Sequence, residues 1–86
     1  MGEHGQGPQN QVQVIVNTRP KTVQRGVITY EQVVALALDP VPSGPNIQIT
    51  VSYYRGEGGK SGDLLPGKHV AVHEDMVFDV TATDLS

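Results

Sequence analysis

Residues 54–63 read YRGEGGKSGD, and their GGKS core is the place in the chain where glycines, a lysine and a serine could together cradle a phosphate. A nucleotide-binding phosphate loop needs glycine, any four residues, then Gly-Lys-Ser/Thr, in a loop that follows a strand and opens a helix. Counting back from Gly59, Lys60 and Ser61, the first glycine is required at position 54, which Tyr54 occupies. The continuation SGDLLPGK places Gly62 and Pro66 where the first helical turns should be. The motif fails in composition and in context. Gly56, Gly58, Gly59 and Gly62 are read instead as positive-φ positions of a loop between two strands.

His69 and His73 invite a metal reading. On a strand they share a face but stand about 13 Å apart at ~3.3 Å per residue, too far for one ion. His4 lies in a polar N-terminal stretch and supplies no third ligand. The carboxylates Asp39, Asp63, Asp75, Asp79 and Asp84 are spread over turns and exposed positions and join no Ser/His/Asp set. These residue types imply no enzyme, no cofactor and no metal. Formal net charge is −3, and Arg19, Lys21, Arg25, Arg55, Lys60 and Lys68 form no basic run, which argues against nucleic acid as partner and for protein.

The elements that must position these residues belong to one domain, since 86 residues suffice for one core and not two. There is no cysteine, so packing alone stabilises the fold, which suits a reducing cytoplasm. The apolar runs VVALAL and VIV fall far short of the ~20 residues of a membrane span, and no secretory pattern opens the chain. A soluble, cytoplasmic protein is expected.

Residues 1–11, MGEHGQGPQNQ, lack an apolar period and are expected to be a flexible tail. QVQVIVN then alternates, with Val12, Val14 and Val16 on one face and Ile15 on the other. After a turn expected over residues 17–20, KTVQR reads as a second strand in a hairpin with the first. Thr29 followed by Gln32 is a capping box, and Tyr30, Val33, Val34, Ala37 and Leu38 form the apolar stripe of a helix of about ten residues, stopped by Asp39, Pro40 and Pro42. NIQITVSYY alternates again, with Ile47, Ile49, Val51 and Tyr53 inward. KHVAVH is a short strand with Val70 and Val72 inward. Glu74 and Asp75 make a tight turn, and MVFDVTAT is a last strand with Met76, Phe78, Val80 and Ala82 inward. Strand, strand, helix, strand, strand, strand predicts an α+β domain: one mixed sheet of about five strands with a helix on one face, the β-grasp architecture.

Taken in order, ITYEQVVALA, ITVSYYRGEGGKSGDLLPGKHVAV and the ending DMVFDVTATDLS resemble the multiubiquitin-domain family of bacterial ubiquitin-like proteins, over residues 12–86. The resemblance implies a ubiquitin-like β-grasp protein encoded in an operon with an activating enzyme, a conjugating enzyme and a deconjugating peptidase. These would be its partners along with target proteins, and antiviral defence is among the implied roles. In such a system the small protein is what is attached, through a carboxyl terminus that the activating enzyme adenylates. Ubiquitin-type modifiers end in two glycines, whereas this chain ends Thr83, Asp84, Leu85, Ser86. Four readings stay open: the enzymes accept the terminal serine, a peptidase trims it, the chain is one unit of a longer precursor, or it is never conjugated.

The last strand is expected to end near Ala82, freeing Thr83, Asp84, Leu85 and Ser86 as a conjugation tail, with a merely frayed chain end as the plain alternative. Ile15, Tyr54, Ala71 and Val77 are apolar at positions that alternation turns to water, and are the expected partner surface. Scattered exposed apolar residues are equally normal in any domain. Two functions follow: a covalent modifier, or a non-covalent, self-associating module that docks through the sheet and its edges. Fold does not separate them.

Overall fold

The structure is a computed structural model that describes residues 10–85. The expected tail therefore lies outside the described residues except for Asn10 and Gln11, and Gln11 is already paired with Gln24 as the first residue of β1 (Gln11–Val16). Along β1 the valines at 12, 14 and 16 are buried, as the alternation requires.

The turn to β2 (Arg19–Gln24) is shorter than expected. It uses only Asn17 and Thr18, both at positive φ (50° and 70°), the handedness that matches the twist of the flanking strands. Arg19 and Pro20 belong to the strand. Pro20 is tolerated there because the Arg25 amide donates to the Asn10 carbonyl at 2.9 Å, which fixes the alternation of hydrogen-bonded pairs along the hairpin. Pro20, opposite Ile15, falls at a pair whose amides point away from the partner strand, so its missing N–H costs the ladder nothing.

After β3 (Val27–Thr29), helix α1 (Tyr30–Ala37) begins at the expected capping box. Thr29 Oγ1 accepts from the Gln32 amide at 3.1 Å, and Gln32 Oε1 accepts from the Thr29 amide at 2.9 Å. The helix N-terminus is also tied to a distant turn: Tyr30 N–H donates to the Lys68 carbonyl (3.0 Å) and Gly67 N–H to a Glu31 carboxylate oxygen (3.2 Å). The remaining strands are β4 (Ile47–Tyr54), β5 (Gly62–Asp63), β6 (His69–Ala71) and β7 (Val77–Asp84), with a 3-10 turn at Glu57–Gly59.

Five strands form one mixed sheet in the order β2-β1-β7-β4-β5, with β1 and β7 parallel and the other neighbours antiparallel. This is the α+β β-grasp arrangement, but β6 does not join the main sheet. It pairs with β3 in a separate two-stranded sheet through Ile28 and Val70. Three-residue strands are too short to show a period, and β3 went unread for that reason.

The core holds Val12, Val14, Val16, Val33, Val34, Val51, Met76, Phe78 and Val80, all expected inward, together with Ile28 and Leu64 from segments read as loop. Ile49, Tyr53, Val70 and Val72 pack against its margin. Ala82, expected inward, is exposed, because β7 runs on beyond the buried stretch that ends at Val80. Asn17 closes the gap between β1 and β7 beyond their short ladder. Its side-chain amide donates to the Val80 carbonyl (3.1 Å) and its side-chain oxygen accepts from the Val80 amide (2.7 Å), standing in for one more residue of parallel strand. No helix among the described residues is long and apolar enough to cross a membrane.

Candidate protein-docking face

The sheet register decides which of the outward apolar residues meet. Ile15 on β1 pairs with Val77 on β7, and Val77 pairs with Tyr54 on β4. Cross-strand partners share a face, so the three side chains stand in one row across the sheet on the side opposite the valines at 12, 14 and 16. Pro20, paired with Ile15 on β2, extends the row to four strands. It was missed because it was assigned to the turn, and the 2-periodicity of KTVQR carried one step backwards would have found it. Ile15 and Val77 are half-buried, and Tyr54 is 44% exposed.

Polar residues border the row. On one side stand Gln13 and Thr22, a cross-strand pair; on the other stand Asp79 and Ser52, with Ser52 Oγ hydrogen-bonded to Asp63 at 3.1 Å. An apolar row inside a polar frame is the layout of a small protein-binding surface. Ala71 does not belong to it. It pairs with Val27 on the separate β3–β6 sheet, so the expected four-residue surface is three of its members plus Pro20.

The C-terminal residues also differ from expectation. Thr83 and Asp84 remain in β7, paired with Gln48 and Ile47, and the Leu85 amide donates to the Asn46 carbonyl at 2.7 Å. The strand continues because threonine favours extended backbone and because β4 starts early enough to offer partners to the end of β7. Ser86 lies outside the described residues.

The glycine loop closes on itself. Gly56 N–H donates to the Lys60 carbonyl (2.9 Å) and Gly59 N–H to the Gly56 carbonyl (2.8 Å), and Gly62 enters β5, with no helix after Lys60. Gly58 and Gly59 have the expected positive φ, but Gly56 and Gly62 are needed for space. A β-carbon at Gly62 would lie 3.0 Å from the Tyr53 hydroxyl, and one at Gly56 would lie 3.3 Å from the Lys60 carbonyl oxygen. His73 sits past the end of β6, in the turn where its carbonyl accepts from Met76 N–H, so the two histidines do not share a strand.

This strand order, capping box and closed glycine loop span the region over which the multiubiquitin family model matches, residues 12–84. The chain belongs to the multiubiquitin family. No curated protein and no solved structure matches it. In this multiubiquitin domain the helix-free face of the sheet carries the apolar row from Pro20 to Tyr54.

Proposed function

We propose that this domain is a non-catalytic ubiquitin-like module recognised by other proteins through the row of Pro20, Ile15, Val77 and Tyr54. The carrying observation is the register that aligns these residues from four strands on one face. Polar substitutions at Ile15, Val77 and Tyr54 should weaken association at least tenfold while leaving the fold intact, since none of the three is fully buried. Chemical-shift mapping of the labelled domain against its activating enzyme tests this. Perturbations that miss the row, or a melting temperature that falls in step with affinity, would assign these residues elsewhere.

Family membership and the position of β7 favour a second role for the same module, that of a covalent modifier in the cytoplasm. β7 is flanked on both sides and delivers the chain's end at one rim of the sheet, where Leu85 is 62% exposed. In this reading a carboxylate oxygen at the terminus attacks the α-phosphorus of ATP and releases pyrophosphate. A nucleophile on the enzyme or target then attacks the acyl carbon and displaces AMP. Because Leu85 is tethered to Asn46, the last residues must first detach from β4. Incubation with activating and conjugating enzymes and ATP should add covalent mass to the full chain and none to a chain lacking residues 84–86. Conjugation of both would exclude the intact terminus, and conjugation of neither would leave docking as the function. A peptidase that reverses attachment and a role in antiviral defence complete this reading.

A further inference from the structure

The two long edges of the main sheet are not equivalent. Along the outer edge of β4, several backbone groups are taken by local partners: Ile47 N–H by the Gly44 carbonyl, the Ile49 carbonyl by the Tyr30 hydroxyl, and the Val51 carbonyl by Leu64 N–H, with β5 covering Ser52 and Tyr53. β2 is the edge at the other side. With Arg19, Lys21 and Val23 bonded to β1, the amides and carbonyls of Thr22 and Gln24 point outward and meet no partner among the described residues. An open edge of this kind accepts an added strand.

A groove runs beside that edge. Between β2 and α1 lies an apolar recess of about 370 Å³ whose walls include Val23, Val27, Ile28, Ala35 and Leu36, with Val27 57% exposed. A second recess shares Leu36 and continues along the same strand to Arg19 and Lys21. Both side chains lean to the helix side, because they pair with the buried Val16 and Val14. Asp39 also reaches this end, but neither cation forms an ion pair among the described residues, and two positive charges against one leave the recess electropositive. Two of the chain's six Lys and Arg residues line this end in a domain of net charge −3.

We propose that this groove binds an extended, acidic-aliphatic peptide segment of another protein as an extra strand on β2. The peptide's backbone would pair with Thr22 and Gln24. Aliphatic side chains at alternate positions would enter the recess beside Val27 and Leu36, and a flanking Asp or Glu would face Arg19 and Lys21. Charge complementarity selects this occupant over a second copy of the chain, since two β2 edges laid together would add a second Arg19 and Lys21 to the seam. The site is distinct from the row of Ile15, Val77 and Tyr54, and it stands or falls independently of that surface.

The test is fluorescence anisotropy with labelled synthetic peptides DDVTVTV and its reversed order, one for each strand direction. At least one should bind saturably. Replacing its aspartates with asparagine, or substituting Lys21→Glu in the protein, should raise the Kd about tenfold, and N-methylation of alternate peptide amides on the pairing side should abolish binding. Labelled-protein spectra should shift at Thr22, Gln24, Val27 and Leu36. Lys21 is half-buried, so the exposed Arg19 supplies the control: Arg19→Glu should weaken binding to the same extent and melt with the parent, which separates lost binding from lost fold. Absence of binding by both peptides, binding indifferent to charge and N-methylation, shifts confined to Ile15, Val77 and Tyr54, or sedimentation showing this edge closed by a second copy would each overturn the proposal.

Discussion

Two single residues carry more of this fold than their size suggests. Asn17 occupies a positive-φ position and bridges both polar groups of the Val80 backbone, which β1 is too short to reach. Asn17→Gly keeps the backbone geometry and removes the bridge, the freer unfolded chain of glycine, ~0.5–1 kcal/mol, being roughly offset by relief of the positive-φ conformation. Leaving a part-buried amide and carbonyl without partners costs ~1–3 kcal/mol, and we expect a fall of that size in the free energy of urea unfolding. A change below about 0.5 kcal/mol would mean that water replaces the side chain fully. Phe78 is the other case: it is fully buried and is the chain's one phenylalanine, at the centre of a valine-rich core. Phe78→Ala should cost ~3–5 kcal/mol, a large part of the stability of a domain this size, leaving the protein largely unfolded near room temperature. A variant melting within a few degrees of the parent would show that Phe78 is not central. Phe78 was legible from alternation alone. The bridge of Asn17 was not, because it depends on a neighbour 63 positions away that only the sheet order brings close.

At the scale of elements, what could be read was what repeats. β1, β4 and β7 alternate over six to eight residues and were placed on their correct faces, and the helix announced its start through Thr29 and Gln32. What could not be read was local geometry without a period: the three-residue β3, the two-residue β5, the pairing of β6 with β3, and the stretch of β7 beyond the core. The apolar row shows the same division. Alternation placed Ile15, Tyr54 and Val77 outward, but only the parallel pairing of β1 with β7 makes them neighbours, and it equally separates Ala71. The β1–β2 turn carries a conflict of its own, since Thr18 is β-branched yet held at φ 70°. A left-handed conformation costs a non-glycine residue ~1–2 kcal/mol, and glycine gives back ~0.5–1 kcal/mol of that through its freer unfolded chain. Thr18→Gly should therefore raise stability by up to ~1 kcal/mol, read as a higher denaturant midpoint at unchanged slope. A lower midpoint would show that the threonine hydroxyl's bond to the Asn17 carbonyl outweighs the strain.

For the molecule as a whole, the sheet order sets an order of opening. β7 is bonded on both sides, to β1 through Ile15, Asn17 and Val80, and to β4 over its whole length, whereas β5 pairs through two residues and β3 and β6 hold only each other. The Leu85 amide bonds the Asn46 carbonyl, so the amides of Thr83, Thr81 and Asp79 also face β4, alternating with those that face β1. Those of Asp79 and Thr81 lie against the buried span of β4 around Val51, while Thr83 and Leu85 lie beyond it among exposed residues. Fraying from the end exposes little apolar surface, and opening at Asp79 requires the core itself to come apart. In native-state hydrogen exchange, Asp79 and Thr81 should then exchange only through global unfolding, with free energies that track the denaturant slope. Leu85 and Thr83 should exchange through small openings almost insensitive to denaturant. That difference would give the proposed covalent-modifier role its missing step, because a terminus that detaches from β4 without disturbing the core can reach an activating enzyme while the apolar row stays assembled. Equal, denaturant-dependent protection from Asp79 to Leu85 would mean that the end of β7 is released only when the domain unfolds, and would leave recognition through the sheet as what this terminus permits.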